Sequence, residues 1–536
     1  MGRYLNSRAP FEVYKEIVRT RFFVDKSLLL EDILSAMEVD GQKYLCITRP
    51  RRFGKSIMAS MIATFLGKAV DSKSLFEGLA IGGNENCKAH LNRHNVVYID
   101  FSEVPRDCAD YGQYIARIQD GLNNDLAKAY TDLSIDTAKA AWDILTDIFQ
   151  EKGERFIFIM DEWDAIFHMS FVTQEDQEAY LLFLKSLLKG KAYVELAYMT
   201  GVLPIAKYSG GSELNMFLEY DMATKRKFSE YFGFSDSEVD KLFEIYQKGT
   251  EEPAITREEL RIWYDGYCTA KGGRLYNPRS VVCALTDNEL SNYWTSSGPY
   301  DEIFYYIRNN IQDVRDDIVL MVSGERVPIA LLGYAVTGTE LKTKNQIYSA
   351  MVVYGLLTYE NKTVFIPNKE LMDKFNELLL NNDSLGYVYS LARESERMLA
   401  ATLAGDTDTM ADILAFAHDT ESPILSYNSE TELAAVVNLV YLGARDRYRV
   451  EREDKAGKGY VDFIFYPEIK SADAVILELK VGSTPKRAIQ QIKDKNYVLR
   501  LRGKLGETPK YTGRVLAVGI SYNKRTKKHA CKVEVW

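Results

Sequence analysis

Four short apolar runs occur within the first 202 residues, and they constrain the fold of this chain more than any other feature. The runs lie at 42–48, 94–102, 155–162 and 192–202, with helical stretches between them. An apolar run of this length is typical of a strand that is buried on both faces of a sheet. The alternation of strands and helices therefore predicts βαβ units and a parallel sheet with helices on both faces.

The chain of 536 residues is too long for one compact core, so several domains are expected. We assign a first α/β domain to 1–227, a polar helical lid to 228–315, a winged-helix-like module to 316–384 and a second α/β domain to 385–536. The third assignment depends on 354–368, which predicts two strands about a turn at Glu360-Asn361-Lys362. The helices and strands predicted for the last domain are, in order, 429–443, 459–467, 474–482, 485–502 and a strand pair within 513–536.

The composition is that of an ordinary globular protein, with 46% hydrophobic and 27% charged residues. The six cysteines are scattered without a C-x-x-C pair, which fits a reducing cytosol and argues against a disulfide framework or a zinc site. No run of eighteen apolar residues occurs, so neither a membrane span nor membrane contact is expected. We therefore expect a cytoplasmic protein.

Charge is distributed unevenly along the chain, whose net charge is −9. From Lys480 to Trp536 there are 15 Lys and Arg against three acidic residues, a net charge of +12, which leaves −21 for the rest. A basic segment on an acidic body is typical of a surface that meets phosphates, although a solubilising tail is the alternative. The candidates for contacts with a nucleic-acid backbone are Lys486, Arg487, Lys493 and Lys495.

A loop that ends in Gly54-Lys55-Ser56 follows the first apolar run and precedes a helical run, which is the setting of a phosphate-binding loop. Backbone N–H groups of such a loop and the N-terminus of the next helix form a cradle for phosphates. Lys55 is expected to reach the β- and γ-phosphates of ATP, and Ser56 to bind Mg²⁺. The predicted nucleotide-binding residues of the loop are Arg49, Pro50, Arg51, Arg52, Phe53, Gly54, Lys55 and Ser56.

The third apolar run ends in Asp161-Glu162, the form of a Walker B strand. Asp161 is expected to bind Mg²⁺ through water, and Glu162 to orient the water that attacks the γ-phosphate. Thr200, at the end of the next strand, is placed to sense the γ-phosphate, and its alternative role is to cap the strand end. The order and spacing of these elements predict a nucleotide site rather than a chance GKS sequence.

A second group of polar residues interrupts two apolar strands near the C-terminus. Asp462 lies in one strand, and Glu478 and Lys480 lie in the next, where alternation places them on one face. Two carboxylates can bind Mg²⁺ through oxygen, and the lysine can activate or orient a water at a phosphate. An ion pair on an exposed face is the alternative, which such apolar strands disfavour. The upstream helix offers a further ligand, which we assign to Glu432, with Glu430 left open as the other choice.

With these motifs in place, the chain resembles the AAA-ATPase-like proteins of bacteria and archaea that carry a C-terminal PD-(D/E)XK nuclease-like domain. The loop of such proteins typically has the form R-P-R-R-F-G-K-[ST], so Arg49 in place of the usual first glycine is a family trait. The resemblance covers nearly the whole chain in order, on the segments 22–34, 48–56, 96–102, 157–167, 199–207, 232–239, 263–267, 276–281 and 292–294.

The resemblance implies an α/β multidomain protein, with a P-loop NTPase domain first, then the lid and the winged-helix-like module, and a restriction-endonuclease-like domain last. It implies that Gln491 faces the metal site, as the family's Q-I-x-x-x-x-Y element does. The implied cofactors are ATP and Mg²⁺, with Mn²⁺ as a substitute, and the implied partner is nucleic acid, DNA in the first instance. The predicted catalytic residues are Glu162, Asp462, Glu478, Lys480 and Gln491.

The expected activity is ATP binding or hydrolysis that gates a Mg²⁺-dependent phosphodiesterase. Defence against foreign DNA, or mobile-element biology, is the setting that the architecture suggests. Two alternatives stay open: a switch whose C-terminal domain binds nucleic acid or a partner without cleaving it, and an ATPase with an inactive nuclease fold. The oligomeric state, a homo-oligomer included, is open as well.

Overall fold

The N-terminal part of the chain is built on one parallel sheet. The computed structural model describes residues 2–38, 42–106, 108–205, 213–294, 311–331, 341, 343–381, 387–418, 429–456, 459–498, 501 and 511–536. The sheet has the order β2-β3-β4-β1-β5, and its strands are β1 (Tyr44–Thr48), β2 (Asn95–Asp100), β3 (Phe156–Asp161), β4 (Val194–Gly201) and β5 (Leu218–Tyr220). Every pair is parallel, which confirms the fold predicted from the four apolar runs. The short edge strand β5 is an addition to the predicted four.

Helices cover both faces of this sheet, which explains why its strands are apolar throughout. Leu45 and Ile47 of β1 pack into one core, and Cys46 between them packs into the other. Because side chains alternate between the faces of a strand, burial on both faces needs a continuous apolar run. The helices are α1 (Ala9–Val18), α2 (Leu29–Glu38), α3 (Lys55–Leu66), α4 (Lys73–Phe76), α5 (Glu85–Lys88), α6 (Tyr111–Ala129), α7 (Ala141–Lys152) and α8 (Gln174–Leu188).

The next part of the chain is helical, as its polar pattern predicts. Its elements are α9 (Asp236–Gly249), α10 (Arg257–Tyr264), the two-stranded ribbon β6 (Tyr267–Cys268) and β7 (Arg274–Leu275), and α11 (Pro278–Asp287). Ser235 and Thr256 close capping boxes at the starts of α9 and α10, and Asn277 caps α11 before its proline. The predicted lid ends at 315, and its part at 295–310 lies outside the described residues.

A small unit of three helices and a three-stranded antiparallel sheet follows. It consists of α12 (Ile311–Val322), β8 (Val327–Pro328), α13 (Lys344–Tyr354), β9 (Thr358–Glu360), β10 (Thr363–Phe365) and α14 (Lys369–Asn381). The predicted hairpin is confirmed, because Glu360 pairs with Thr363 across a two-residue turn. Both turn residues, Asn361 and Lys362, have left-handed backbones with φ of 51° and 62°, as the tightest hairpins require.

The C-terminal part contains a mixed five-stranded sheet with helices before and within it. In sequence these are α15 (Tyr387–Arg393), α16 (Ser395–Ala404), α17 (Thr407–His418), α18 (Glu430–Val440), β11 (Tyr448–Ala456), β12 (Gly459–Pro467), β13 (Ala474–Val481), α19 (Pro485–Lys495), β14 (Val515–Asn523) and β15 (Lys528–Val535). The strands lie in sequence order, and β13 pairs with β14 in parallel. The predicted helix at 485–502 is shorter, because Asn496 ends α19 with φ of 54°. Residues 499–500 and 502–510 lie outside the described residues.

One buried core joins the later parts of the chain to the loop after β1. It runs from Phe53 through Trp294, Tyr348 of α13 and Val437 of α18 to Val518 of β14. This packing crosses all the predicted domain boundaries. The boundaries themselves stay predictions. In the portion of the chain that the structure describes, no helix is both long and apolar enough to cross a bilayer.

Candidate functional site

The loop between β1 and α3 is a tight turn that leads into a helix N-terminus. Arg52 and Gly54 both have left-handed backbones, with φ of 69° and 87°. A side chain at Gly54 would meet no atom within 4 Å, so the backbone conformation, and not lack of space, favours glycine there. A left-handed residue other than glycine costs about 1 kcal/mol, and such strain is concentrated at functional sites. The turn brings the chain to the first N–H groups of α3, which have no partner within the helix and can bind an anion.

Lys55 is the first residue of α3, and its side chain is almost fully buried. The ammonium donates a hydrogen bond to the Pro50 carbonyl over 3.3 Å and lies 3.8 Å from a carboxylate oxygen of Glu162. Only 3% of the Lys55 side chain is exposed, against 29% for that of Glu162. Because burial of an ammonium is costly without anionic partners, this lysine is placed to bind an anion at the loop.

β3 ends in two acidic residues with different surroundings. Burial raises the pKa of the Asp161 carboxyl to about 7, and a hydrogen bond with Ser56 acts in the opposite direction. The charges of Glu162 and Asp100 raise the pKa of Asp161 further. Glu162 has a left-handed backbone with φ of 50°, and its N–H donates to Asp161 Oδ1 over 3.1 Å. The structure thus brings Ser56, Asp161 and Glu162 together at the carboxyl edge of the sheet.

Two further residues lie where β3 and β4 end. Buried Asp164 accepts hydrogen bonds from the N–H groups of Val202 over 3.0 Å and Leu203 over 2.7 Å, so it ties the turn after β3 to the chain after β4. The Thr200 hydroxyl is fully buried and has no hydrogen-bond partner among the described residues. The Thr200 hydroxyl therefore makes no hydrogen bond that caps the strand end among the described residues. Its role as a phosphate sensor stays a prediction.

A cavity of about 690 Å³ opens beside the loop. Its polar and charged wall includes Arg51, Arg52, Lys55, Ser56, Asp100, Glu162 and Arg279. Its apolar wall includes Phe22, Phe23, Val24, Tyr231, Phe234 and Val282. The size and the division between charged and aromatic walls suit a ligand with an anionic end and a flat apolar end.

Arg49 is placed apart from this cavity. Its guanidinium donates to the backbone carbonyls of Thr48, Tyr220 and Phe228 over 2.6 to 3.0 Å, and 1% of the residue is exposed. Burial lowers the pKa of Arg49 to about 10. The structure therefore does not bring Arg49 to the predicted nucleotide, and the side chain joins β1 to the edge strand β5 instead.

The second candidate site lies on the C-terminal sheet, where β12 and β13 meet. Phe463 pairs with Leu477, so Asp462 and Glu478 occupy the adjoining position across the two strands. Asp462 accepts a hydrogen bond from the Leu479 N–H over 2.7 Å. Burial raises the pKa of Asp462, and burial followed by the charge of Asp462 raises the pKa of Glu478 to about 7. Two carboxyls share this site and disfavour each other's ionisation.

One oxygen of Glu478 is the clearest indication of a ligand at this site. Oε1 accepts hydrogen bonds from Lys480 Nζ, over 3.0 Å, and from the Gln491 amide, whereas buried Oε2 has no partner among the described residues. An unpartnered buried polar atom costs about 1–3 kcal/mol, which a hard cation would remove. No cluster of three or more His, Cys, Asp or Glu that could hold a metal occurs within the described ranges. Asp462 and Glu478 nevertheless fit Mg²⁺, because Mg²⁺ keeps several waters and needs only one or two carboxylates.

The two candidate glutamates of α18 have different surroundings. A carboxylate oxygen of Glu430 lies 3.8 Å from Lys480 Nζ, and the charge of Glu430 contributes to raising the pKa of Asp462. Glu432 closes a capping box, in which its carboxylate accepts from the Ser429 N–H over 3.3 Å. The structure thus places Glu430, rather than the assigned Glu432, against Lys480, and the choice of the further metal ligand stays a prediction.

Two segments of the chain match two family models. Residues 11–209 match the model described as a predicted AAA-ATPase, and residues 429–529 match the PD-(D/E)XK nuclease superfamily. The chain therefore contains an AAA-ATPase-like segment and a C-terminal PD-(D/E)XK nuclease-superfamily segment. The loop 49–56 and Asp161 lie within the first match, and Asp462, Glu478 and Gln491 lie within the second.

Related proteins and structures are distant. The Walker-type ATPase PABY2304 of Pyrococcus abyssi is 13% identical, with 65% of this chain and 94% of that chain covered and a TM-score of 0.34. The ORC2 protein of Aeropyrum pernix is 13% identical, with 70% and 95% covered and a TM-score of 0.30. A protein described as uncharacterized, in the vnfD 5′ region of Azotobacter chroococcum mcd 1, is 25% identical over 509 residues, 90% of each chain. That last match extends into both of the segments that match family models.

The first candidate site has residues that sequence reasoning missed. Asp100 ends β2 directly beside Asp161 in the sheet register, and both Asp100 and Ser102 line the cavity. The sequence contained a signal for Asp100 and Ser102, because they follow a predicted strand and the carboxyl ends of parallel strands meet at one edge of the sheet. Arg279, which enters the cavity from the start of α11, had no such signal, since its position depends on the packing of a distant helix.

The nuclease-superfamily domain presents basic side chains on α19, beside the strand that carries Glu478 and Lys480. Lys486, Arg487 and Lys495 are exposed, whereas Lys493 forms an ion pair with Glu534 of β15 over 2.6 Å. Gln491 of the same helix bonds to Glu478, so α19 connects the basic surface with the carboxylate site. Exposed ion pairs contribute little to stability, which leaves charge as the main property of this surface.

Proposed function

We propose that this protein binds and hydrolyses ATP at the loop 49–56, and that nucleotide controls a Mg²⁺-dependent phosphodiesterase site that acts on nucleic acid, DNA in the first instance. The observation that carries the proposal is that one chain holds two sites of similar chemistry. In the first, buried Lys55 lies beside Glu162, and in the second, Lys480 lies against buried Glu478. Both sites combine a lysine that can bind a phosphate with carboxylates that can bind Mg²⁺.

At the first site different residues bind the phosphates, the base, the metal and the attacking water. The N–H groups at the start of α3 and the Lys55 ammonium bind the phosphates of ATP, while the aromatic wall near Phe23 and Tyr231 receives the base. Ser56 and Asp161 would hold Mg²⁺, which supplies positive charge that screens the phosphates. Glu162, the more exposed carboxylate, accepts the proton of the attacking water and orients it.

At the second site Asp462 and Glu478 would hold Mg²⁺, which when bound polarises a phosphate and acidifies water. Gln491 fixes the orientation of the Glu478 carboxylate through a hydrogen bond to Oε1. Lys480 holds its ammonium 3.0 Å from Glu478 and places a proton donor and a positive charge beside the scissile phosphate. Lys486, Arg487 and Lys495 attract the nucleic-acid backbone to this face.

The cysteines support the expected compartment. All six are free thiols, and three of them, Cys46, Cys87 and Cys268, are buried. A reducing compartment keeps such thiols free, which supports a cytoplasmic location for the protein.

ATP turnover is tested with three variants measured against wild type. Lys55→Ala is expected to lose nucleotide binding, and Glu162→Gln is expected to keep binding but to lose turnover by about 10²- to 10⁴-fold. Lys73→Ala, on the exposed surface of α4, is the control with unchanged activity. Equal turnover in wild type and Lys55→Ala would contradict the ATPase half of the proposal.

Cleavage is tested on single- and double-stranded DNA and on RNA with Mg²⁺ or Mn²⁺, with and without ATP. Glu478→Ala and Lys480→Ala are each expected to abolish cleavage while binding in EDTA persists, because the basic surface is unchanged. Residual cleavage that is equal in wild type and both variants would reject the nuclease half. Binding without cleavage would instead favour a switch or an ATPase with an inactive nuclease fold.

A further inference from the structure

The front of the nucleotide loop is held by residues that lie far along the chain. The indole N–H of Trp294 donates a hydrogen bond to the Arg51 carbonyl over 3.0 Å, and Trp294 is fully buried. On the same side, a side chain at Gly355 would come within 2.7 Å of Pro50 Cβ, so the backbone after α13 approaches the Pro50 ring closely. Neither contact comes from the sheet that carries the loop.

Trp294 is itself held by a buried carboxylate. The backbone N–H of Trp294 donates to Glu370 Oε1 over 2.6 Å, and the Ser280 hydroxyl donates to Glu370 Oε2 over 2.8 Å. Glu370 is 0% exposed, at the start of α14. Ser280 follows Arg279, which lines the nucleotide cavity. Glu370 therefore joins the residue that holds the loop to the helix that presents Arg279.

Aromatic packing supports the same arrangement. The rings of Phe53 and Tyr267 meet edge to face, with centroids 4.9 Å apart, and Tyr267 contacts Trp294 at 6.5 Å. Phe53 belongs to the loop, while Tyr267 lies in the ribbon between α10 and α11. The loop thus has hydrogen-bonded and apolar contacts with the same distant group of residues.

We infer that Trp294 and Glu370 are positioning residues of the nucleotide site, acting through the Arg51 carbonyl and the start of α11. The inference rests on the proposed nucleotide function. Its physical basis is that the Lys55 ammonium donates to the carbonyl of Pro50, the residue directly before Arg51. A shift of this backbone moves the partner of Lys55, and a misplaced catalytic group slows turnover even when binding survives.

The test compares Trp294→Phe with Trp142→Phe in the full chain. Phenylalanine keeps an aromatic ring, although a smaller one, and removes the N–H that reaches Arg51. The control residue Trp142 loses the same atoms but packs on Phe183 of α8, away from the loop. Trp294→Phe is expected to lower kcat for ATP about tenfold, since loss of one hydrogen bond to a buried carbonyl has a cost of that order, with KM changed less. The backbone amides of residue 49 and residues 51–54 are expected to exchange hydrogen faster in Trp294→Phe without nucleotide, and Trp142→Phe is expected to match wild type in both measurements.

Glu370 supplies a second set of variants in case Trp294→Phe does not fold. Glu370→Gln keeps one acceptor and is expected to retain more turnover than Glu370→Ala, whereas a role in stability alone would lower Tm and leave kcat unchanged. Wild-type kcat and wild-type exchange of the backbone amides of residues 49 and 51–54 in folded Trp294→Phe would overturn the inference and leave the proposed function intact. If wild type itself binds no ATP, the proposed function fails and the inference fails with it.

Discussion

Glu370 is a buried carboxyl that should give the protein a pH-dependent stability. Burial raises the pKa of Glu370 from 4.5 to about 7, with a smaller contribution from Asp373, while the hydrogen bonds from Trp294 and Ser280 act in the opposite direction. The folded chain keeps this proton up to pH 7, and the unfolded chain releases it near 4.5. The contribution to stability is therefore complete below pH 4.5 and is lost as the pH rises to 7, by up to about 3 kcal/mol.

This pH dependence predicts a signature for Glu370→Gln. Glutamine cannot titrate, so Tm of the variant minus Tm of wild type is expected to rise between pH 5 and pH 8, measured by calorimetry. Glu377→Gln, an exposed position on the same helix, is the control and should show a constant difference. A constant difference for Glu370→Gln as well would mean that Glu370 is ionised throughout this range.

The glutamates of α18 provide a second prediction at this scale. Glu430→Gln is expected to lower nucleic-acid cleavage about tenfold, because its carboxylate faces Lys480 and Asp462. Glu432→Gln is expected to leave cleavage unchanged and to lower Tm slightly, because a capping bond is weakened. The opposite order in a cleavage assay would restore Glu432 as the ligand.

Single residues also mark what the sequence could and could not predict. Lys55, Asp161, Asp462 and Glu478 could be assigned because each follows a local pattern of strand, turn and charge. Arg49 resembled its neighbours in sequence, but its guanidinium turned out to bind backbone carbonyls of distant segments. Such a placement depends on tertiary packing, which no local pattern contains.

Among the elements, the hairpin of β9 and β10 is short enough to test directly. Lys362 has φ of 62°, a conformation that glycine adopts without strain. Lys362→Gly is expected to raise stability by up to about 1 kcal/mol, because Asn-Gly is the preferred sequence for this turn. Urea unfolding measures the change, and Lys362→Ala, which removes the side chain but keeps the strain, should give no gain. A loss of stability in Lys362→Gly would contradict the turn geometry.

The strands that the sequence predicted from continuous apolar runs are buried along most of their length. β1 to β4 and β13 are apolar runs, and each appears where expected. β11, with the sequence YRVEREDKA, was missed because an edge strand carries charges that resemble a loop. The end of α19 was placed too late because the helical pattern continues past Asn496, and only the left-handed backbone of Asn496 ends the helix.

At the scale of the whole molecule, polar contacts connect the segment after α12 with the C-terminal domain. Glu325 pairs with Arg452 of β11 over 3.0 Å, and the Asn438 amide of α18 donates to the Val322 carbonyl over 3.3 Å. α18 begins with Glu430, beside the candidate metal site. These contacts offer a physical route between the two candidate sites, and a route becomes coupling only when both sites change together.

Glu325→Gln tests that route. We expect ATP turnover to persist, and the ratio of cleavage with a non-hydrolysable ATP analogue to cleavage without it to fall toward one. The reason is that the variant weakens an ion pair at the junction but touches neither site. Glu360→Gln is the matched control, because it weakens the ion pair with Arg326 over 2.6 Å within the preceding unit. An unchanged ratio in Glu325→Gln would exclude this contact as the connection.

The contacts of Trp294 and Gly355 with the loop have a thermodynamic consequence for a ligand that binds there. Flexible phosphate-binding loops lose conformational entropy when they close on an anion, and that loss weakens binding. In this chain the backbone at Pro50 and Arg51 is already fixed by the Trp294 hydrogen bond and the close approach of Gly355. Ligand association should therefore proceed with little ordering of the loop, so that release of water and counterions, rather than chain entropy, dominates the entropy of binding.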